Sequence, residues 1–236
     1  DYKRARRQPR TDWTLLQKRE RLAIFLPNDA SPQEVRDCLH EEVAQSLGPL
    51  NDLYRLSDSV FNDDNFHTVL TGFDMLILRT FYAPELRSGM TRAQVAAKLP
   101  GILARINPSG RNKGGGARGD TSRDWINSIE NALGSKISSS GRRAAAKRAV
   151  AIARRNGWND NRLAFSLFAQ GRLTLSSDPD LALASFLQSG TIYAASGDTQ
   201  LHAAHVAMQL AAFALSAGDT EAAIGIVNQH VAIVER

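Results

Sequence analysis

Ser31-Pro32-Gln33-Glu34 begins, and Glu41-Glu42-Val43-Ala44-Gln45-Ser46-Leu47-Gly48-Pro49-Leu50-Asn51-Asp52 ends, the stretch on which the reading of the first half of the chain turns. Ser31 has the side chain of a helix N-cap, Pro32 suits the first helical position, and Glu34 completes a capping box three residues on. The helix so started is expected to run to Leu47. Gly48-Pro49 should stop it, glycine supplying a left-handed cap and proline blocking continuation. Residues 41 and 45, one turn apart, share a helix face. A sharp turn at Gly48 would bring residue 51 back toward them.

Working outward, Leu22-Ala23-Ile24-Phe25-Leu26 is a five-residue apolar run stopped by Pro27 and reads as a buried strand. Residues 49–70 are loop-like and rich in Asn and Asp. Thr71 to about Tyr82 reads as a second helix with Phe73, Leu76, Ile77 and Phe81 on one side, and Ala83-Pro84 ends it. Thr91-Arg92-Ala93-Gln94 repeats the capping pattern and starts a helix over roughly 91–106. Asn107-Pro108 through Gly114-Gly115-Gly116 to Gly119-Asp120 reads as a flexible joint.

From Thr121 onward the pattern is almost wholly helical, with spans expected near 121–133, 138–156, 160–176, 179–196, 199–217 and 219–235. Breaks fall at Gly134, Gly157, Ser177-Asp178-Pro179, Gly197-Asp198 and Gly218-Asp219. In the two Gly-Asp pairs the glycine is expected to close one helix and the Asp or following Thr to cap the next. Leu173-Thr174-Leu175-Ser176 aligns with Phe213-Ala214-Leu215-Ser216 at a spacing of 40, and Asp180-Leu181-Ala182-Leu183-Ala184 with Thr220-Glu221-Ala222-Ala223-Ile224 at the same spacing. An Ala-rich helix-turn-helix unit of this length resembles tetratricopeptide-type repeats. Helices over 121–156 would then cap the array or bridge it to the first domain.

Charge changes sign along the chain. Net charge is +5 over residues 1–21, −5 over 22–104, +9 over 105–155 and −4 over 156–236. The single cysteine, Cys38, excludes an internal disulfide framework and a cysteine-built metal site, and is expected to be a small buried thiol. No apolar run reaches the roughly 20 residues of a membrane helix. The polar, basic first residues do not read as a signal peptide, and the compartment is not legible from them.

Two registers are available for zinc-protease chemistry. His40-Glu41 fits an HExxH helix only if a second ligand stands four residues on, and Ala44 is there. Shifted by one, Glu41-Glu42-x-x-Gln45-x-x-Gly48-x-x-Asn51 resembles the HExxHxxGxxH pattern of metzincin metalloproteases, with glycine and the glutamate Glu42 kept and all three histidines replaced. Asp58-Ser59-Val60-Phe61-Asn62 resembles the Met-turn of that family, and Leu70-Thr71-x-x-Asp74-x-x-x-Leu78-x-x-Phe81-Tyr82 its last helix. The combination looks like a bacterial metzincin-related family of uncharacterised function carrying an EExxQxLGxxND stretch, followed by a helix of the LYxPxLRxGM type, here Phe81 to Met90. This resemblance covers about residues 22–90. The charge, composition and helical pattern give a basic arm over 1–21, a linker over 107–120 and helical repeats over 121–236, so the chain is expected to be α+β and predominantly helical; the resemblance implies a degenerate metzincin-like domain with a small sheet over 22–106. It also hints at an envelope or exported setting.

The resemblance implies a degenerate site of Glu41, Glu42, Gln45, Gly48, Asn51 and Asp52. Oxygen donors such as Glu41, Gln45, Asn51 and Asp52 suit calcium, magnesium or manganese better than zinc. Without a metal, nothing present would polarise a peptide carbonyl or acidify an attacking water. A buried polar network with no metal and no cofactor is therefore the preferred reading; the alternative is a metal-dependent peptidase with Glu42 as general base. His40 is expected at the surface. His67, His202, His205 and His230 lack metal-site spacing, with His202 and His205 read as packing or groove residues. Asn62 to Asn65 reads as a solvated turn rather than a cation loop.

Lys136, Arg142, Arg143, Lys147, Arg148, Arg154 and Arg155 put a basic stripe opposite an alanine-rich face. Such a stripe serves as a solvated face, meets an acidic protein, or binds nucleic-acid or lipid phosphates. No aromatic side chains interleave with the arginines, so the solvated or protein-facing use is preferred over nucleic acid. The function expected is that of a non-catalytic binding or scaffold protein whose repeats hold a protein or peptide partner. A nucleic-acid-binding regulator acting through 136–155 is a further alternative.

Overall fold

The computed structural model describes residues 18, 20–49, 53, 54, 56, 59–62, 70–110, 121–134 and 137–234. These residues are predominantly helical. The chain divides into two compact units, Asp1–Ala117 and Arg118–Arg236.

The first unit holds α1 (Pro32–Leu47), α2 (Gly72–Phe81) and α3 (Arg92–Ile106). Each starts on a complete capping box: Ser31 with Glu34, Thr71 with Asp74, and Thr91 with Gln94. In α1 the Ser31 N–H donates to Glu34 Oε2 at 2.7 Å, which holds that carboxyl below the usual range. Among the described residues, Ala44, Val60 and Phe61 form a buried cluster surrounded by the partly buried Leu56, Leu70, Ile77 and Leu78, and Tyr54, Ala83 and Ile102 are buried besides. Pro100 sits inside α3 without ending it, because only one backbone donor is lost and the residue lies on the exposed side.

Several expectations need correcting here. Among the described residues there is no strand. Residues 21–27 carry no regular structure, and Leu22 and Phe25 are exposed. A short apolar run does not make a strand unless a second one takes up its backbone donors and acceptors. Gly48 has φ −131°, so it is not a left-handed cap. A Cβ there would stand 2.7 Å from Leu78 Cδ2, so the tip of that side chain would have to move aside. The segment after Phe81 is a series of turns up to Met90, not a helix. Cys38 is exposed.

The second unit is a run of helices: α4 (Arg123–Leu133), α5 (Ser139–Arg155), α6 (Asn161–Thr174), α7 (Pro179–Ala194), α8 (Gln200–Ser216), α9 (Thr220–Asn228) and the short α10 (Val231–Val234); α4 to α9 each pack on the next, and α10 packs on α8. The stretches related by the 40-residue offset occupy equivalent places. Those near 174 and 214 lie at or close to the ends of α6 and α8, and those from 180 and 220 open α7 and α9.

Phe186 is fully buried at the centre of this unit with Ala164, Ala182, Tyr193, Ala203 and Val206. Its ring meets Phe168 and Phe213 at centroid distances of 5.8 and 6.1 Å. Trp125 is fully buried and donates its indole N–H to Ser166 Oγ at 2.8 Å, tying α4 to α6. Trp158 packs edge-on against Trp125 and lies 3.8 Å under the Arg162 guanidinium, itself paired with Asp160 at 2.7 Å.

Gly157 and Gly218 adopt the left-handed region, with φ +66° and +82°, and Asp219 caps α9 through the Ala222 N–H. Gly197-Asp198 behaves differently. It forms a short 3-10 turn, and Thr199 spends its hydroxyl on the Tyr193 carbonyl instead of capping α8. The last expected helix is interrupted at Gln229-His230.

Candidate functional site

The Glu41 and Gln45 side chains stand one turn apart on α1, half-buried, with Gln45 Nε2 donating to Glu41 Oε1 at 3.4 Å. Glu42 is exposed and does not join them. Gly48 is buried where Leu78 of α2 crosses over it. Asn51 and Asp52 lie outside the described residues, as do Asp58, His67 and Lys136. Among the described residues, no three His, Cys, Asp or Glu side chains converge as metal ligands would.

The buried polar centre of the first unit lies elsewhere, at Asp74. Its carboxylate accepts from Ser59 Oγ at 2.6 Å, from the Thr71 N–H at 2.8 Å, from Thr71 Oγ1 at 3.0 Å and from the Val60 N–H at 3.3 Å. One fully buried side chain thus caps α2 and pins the Ser59–Asn62 loop, whose Val60 and Phe61 supply the core. The sequence marks Asp74 as a cap three residues after Thr71. Its reach back to residues 59 and 60 leaves no local trace.

Cys38 is flanked by acidic groups on α1. Partial burial of the sulfur, then Glu41, Glu42, Asp37 and Glu34, push its thiol up from the ordinary value. His40 is half-buried rather than at the surface, and its Nδ1 has no hydrogen-bond partner among the described residues. His202 is fully buried beside the Tyr193 ring at 4.8 Å, whereas His205 is exposed, so the pair does not share an environment.

In the second unit, α5 buries Ala146, Ala149, Val150, Ile152 and Ala153 and exposes its cations on the remaining arc. Lys147, Arg148, Arg154 and Arg155 are exposed and Arg143 is half-exposed. At 100° per residue, Arg143, Lys147 and Arg154 form one row, and Arg148 with Arg155 another. Arg154 donates to Gln188 Oε1 at 2.8 Å, and Arg142 to the Ala132 carbonyl at 2.7 Å.

Two open grooves flank these helices. One, of about 490 Å³, lies between α4 and α5 and is lined by Asp124, Asn127, Asn131, Ala144, Ala145 and Arg148 among others. The other, of about 440 Å³, lies between α8 and α9 and is mostly apolar. There Met208, Leu215 and Ile224 remain 56, 60 and 55% exposed. The carboxamides and carboxylate of α4 escaped the sequence reading, which followed charge along one helix and had no means of pairing two.

Residues 2–101 match a family model described as a protein of unknown function (DUF2927). The matched residues contain α1, α2 and most of α3, together with Glu41, Gln45 and Asp74. No curated protein and no solved structure matches the chain. Among the described residues no helix is long and apolar enough to cross a membrane.

Proposed function

We propose that the protein is a non-catalytic binding or scaffold protein that holds a partner protein on its helical second unit, the first unit being a degenerate metalloprotease-like module. The observation that carries this reading is the α8–α9 groove, where Met208, Leu215 and Ile224 keep more than half of their surface in water. Large apolar side chains gathered in one groove are costly to leave solvated and mark surfaces that a partner covers. An amphipathic helix of the partner, set between two helices, would bury them.

The arrangement on α1 supports the same reading. A general base needs a reactive centre to act on, and Glu42 is exposed and takes no part in the Glu41–Gln45 hydrogen bond. The helix pairs and their 40-residue echo support a tetratricopeptide-like array as the binding scaffold.

Affinity capture with the full chain, paired with a Met208→Glu/Ile224→Glu variant of unchanged circular dichroism, tests the proposal. A reproducible set of partners lost in the variant is the expected result. Cleavage of a peptide library in the presence of divalent metal, abolished by Glu42→Gln, would replace the scaffold reading with a peptidase. Retention of duplex DNA alone, weakening steeply between 50 and 150 mM salt, would replace it with the regulator.

A further inference from the structure

Four exposed polar side chains line the α4–α5 groove. Asp124, Asn127 and Asn131 come from α4 and Arg148 from α5. The side chains of these residues make no hydrogen bond or ion pair with any other described residue. By contrast, the nearby Arg142, Arg154 and Arg162 guanidinium groups are each engaged. Polar groups that line a concavity and bond to no other described residue are available to a ligand.

We propose that this groove binds an extended, acidic segment of a partner protein, an inference that rests on the scaffold reading and names a second contact for it. Asn127 and Asn131 are one helical turn apart, which places their carboxamides about 6 Å from each other. Alternate residues of an extended peptide are about 6.6 Å apart. Each carboxamide offers one acceptor and two donors, so the two together pair with the N–H and C=O groups of alternate peptide residues. Opposite them, Gly141, Ala144 and Ala145 make a low wall that lets a backbone come close.

Arg148 supplies the charge selection. Its planar fork matches a carboxylate in two parallel bonds, and Arg155 continues the same row two turns further on for a second acid. Nucleic acid fits the groove less well. The lining includes no aromatic ring for a base to stack on.

The test uses the full chain and fluorescein-labelled dodecapeptides read by anisotropy: alternating Glu-Ser, Gln-Ser and Glu-Pro, together with a 20-base-pair duplex. The Glu-Ser peptide should bind at least ten-fold more tightly than Gln-Ser. Arg148→Glu should remove that preference. Asn127→Ala/Asn131→Ala should weaken Glu-Ser several-fold while leaving the preference over Gln-Ser in place. Glu-Pro keeps every acid but loses half of its backbone N–H donors, so it should bind several-fold more weakly than Glu-Ser.

Equal binding of Glu-Ser and Gln-Ser, an Arg148→Glu variant that behaves as wild type, equal binding of Glu-Pro and Glu-Ser, or tighter binding of the duplex than of any peptide would each overturn the proposal. Circular dichroism melts confirm that the variants fold. Partners that survive on the Arg148→Glu variant but are lost from Met208→Glu/Ile224→Glu would leave the scaffold reading standing while this inference fell. The absence of any reproducible partner from both variants and wild type would remove the scaffold reading first.

Discussion

At the scale of the residue, Asp74 decides more than any other side chain of the first unit. Four donors depend on its carboxylate, from Ser59, Val60 and the backbone and hydroxyl of Thr71. Asp74→Ala strands them in a buried setting, and each orphaned donor costs about 1–3 kcal/mol, so the loss should reach about 3 kcal/mol or more. Thr71→Ala removes one cap and should cost about 1 kcal/mol. Urea denaturation of both variants checks the ranking, and equal losses would refute it. Cys38 gives a second prediction. Its thiol is held protonated by partial burial and by the carboxylates of α1, so less thiolate is present near pH 8 than for an ordinary cysteine. Iodoacetamide should therefore alkylate it slowly. Glu41→Gln/Glu42→Gln removes two of the carboxylates, lowers the thiol's pKa and should move the alkylation profile to lower pH. A profile that does not move would show that burial alone sets it.

At the scale of the element, the helices were legible because their signals are local. Ser31-Glu34, Thr71-Asp74 and Thr91-Gln94 are three-residue relations, and all three form the expected capping boxes. The run at 22–26 was misread because five apolar residues carry no period, and only a partner strand far away in sequence can decide what they become. The pair Glu41 and Gln45 was legible as one helix face, whereas the exposure of Glu42 depends on what packs against α1. Glycine roles divide in the same way. Gly218 could be read from its Gly-Asp context, but Gly171 lies mid-helix with no sequence sign of why. A Cβ at 171 would stand 2.7 Å from the ring of fully buried Phe186, which leaves no room for either to shift. Gly171→Val should accordingly cost about 1–3 kcal/mol by overpacking. At Gly225 of α9 nothing lies within 4 Å of a Cβ. Gly225→Ala should stabilise the protein by up to about 1 kcal/mol, the helix-propensity difference. Thermal melts of the two variants should shift in opposite directions.

At the scale of the whole molecule, the two units bury very different cores. Among the described residues of the first, α1 is 16 residues long and buries only Ala44, and the central cluster consists of Ala44, Val60 and Phe61. In the second, α6 alone buries Leu163, Ala164, Phe165, Leu167 and Ala169, and the Phe186 and Trp125 clusters are completed by residues of the same unit. Hydrophobic burial is the main favourable term in folding, at about 25 cal/mol per Å² of apolar surface, so the second unit should be the more stable of the two. Its helices also contact their neighbours in sequence, which favours fast folding. Chain separation follows from this: residues 118–236 expressed alone should fold cooperatively and stay helical. The full chain should unfold in two steps, with the upper step coinciding with the melt of that fragment. Asp74→Ala should lower only the first step, and Gly171→Val only the second. A single transition in which both substitutions lower one common midpoint would mean that the units melt as one cooperative body, and the division of labour proposed between them would lose its physical basis.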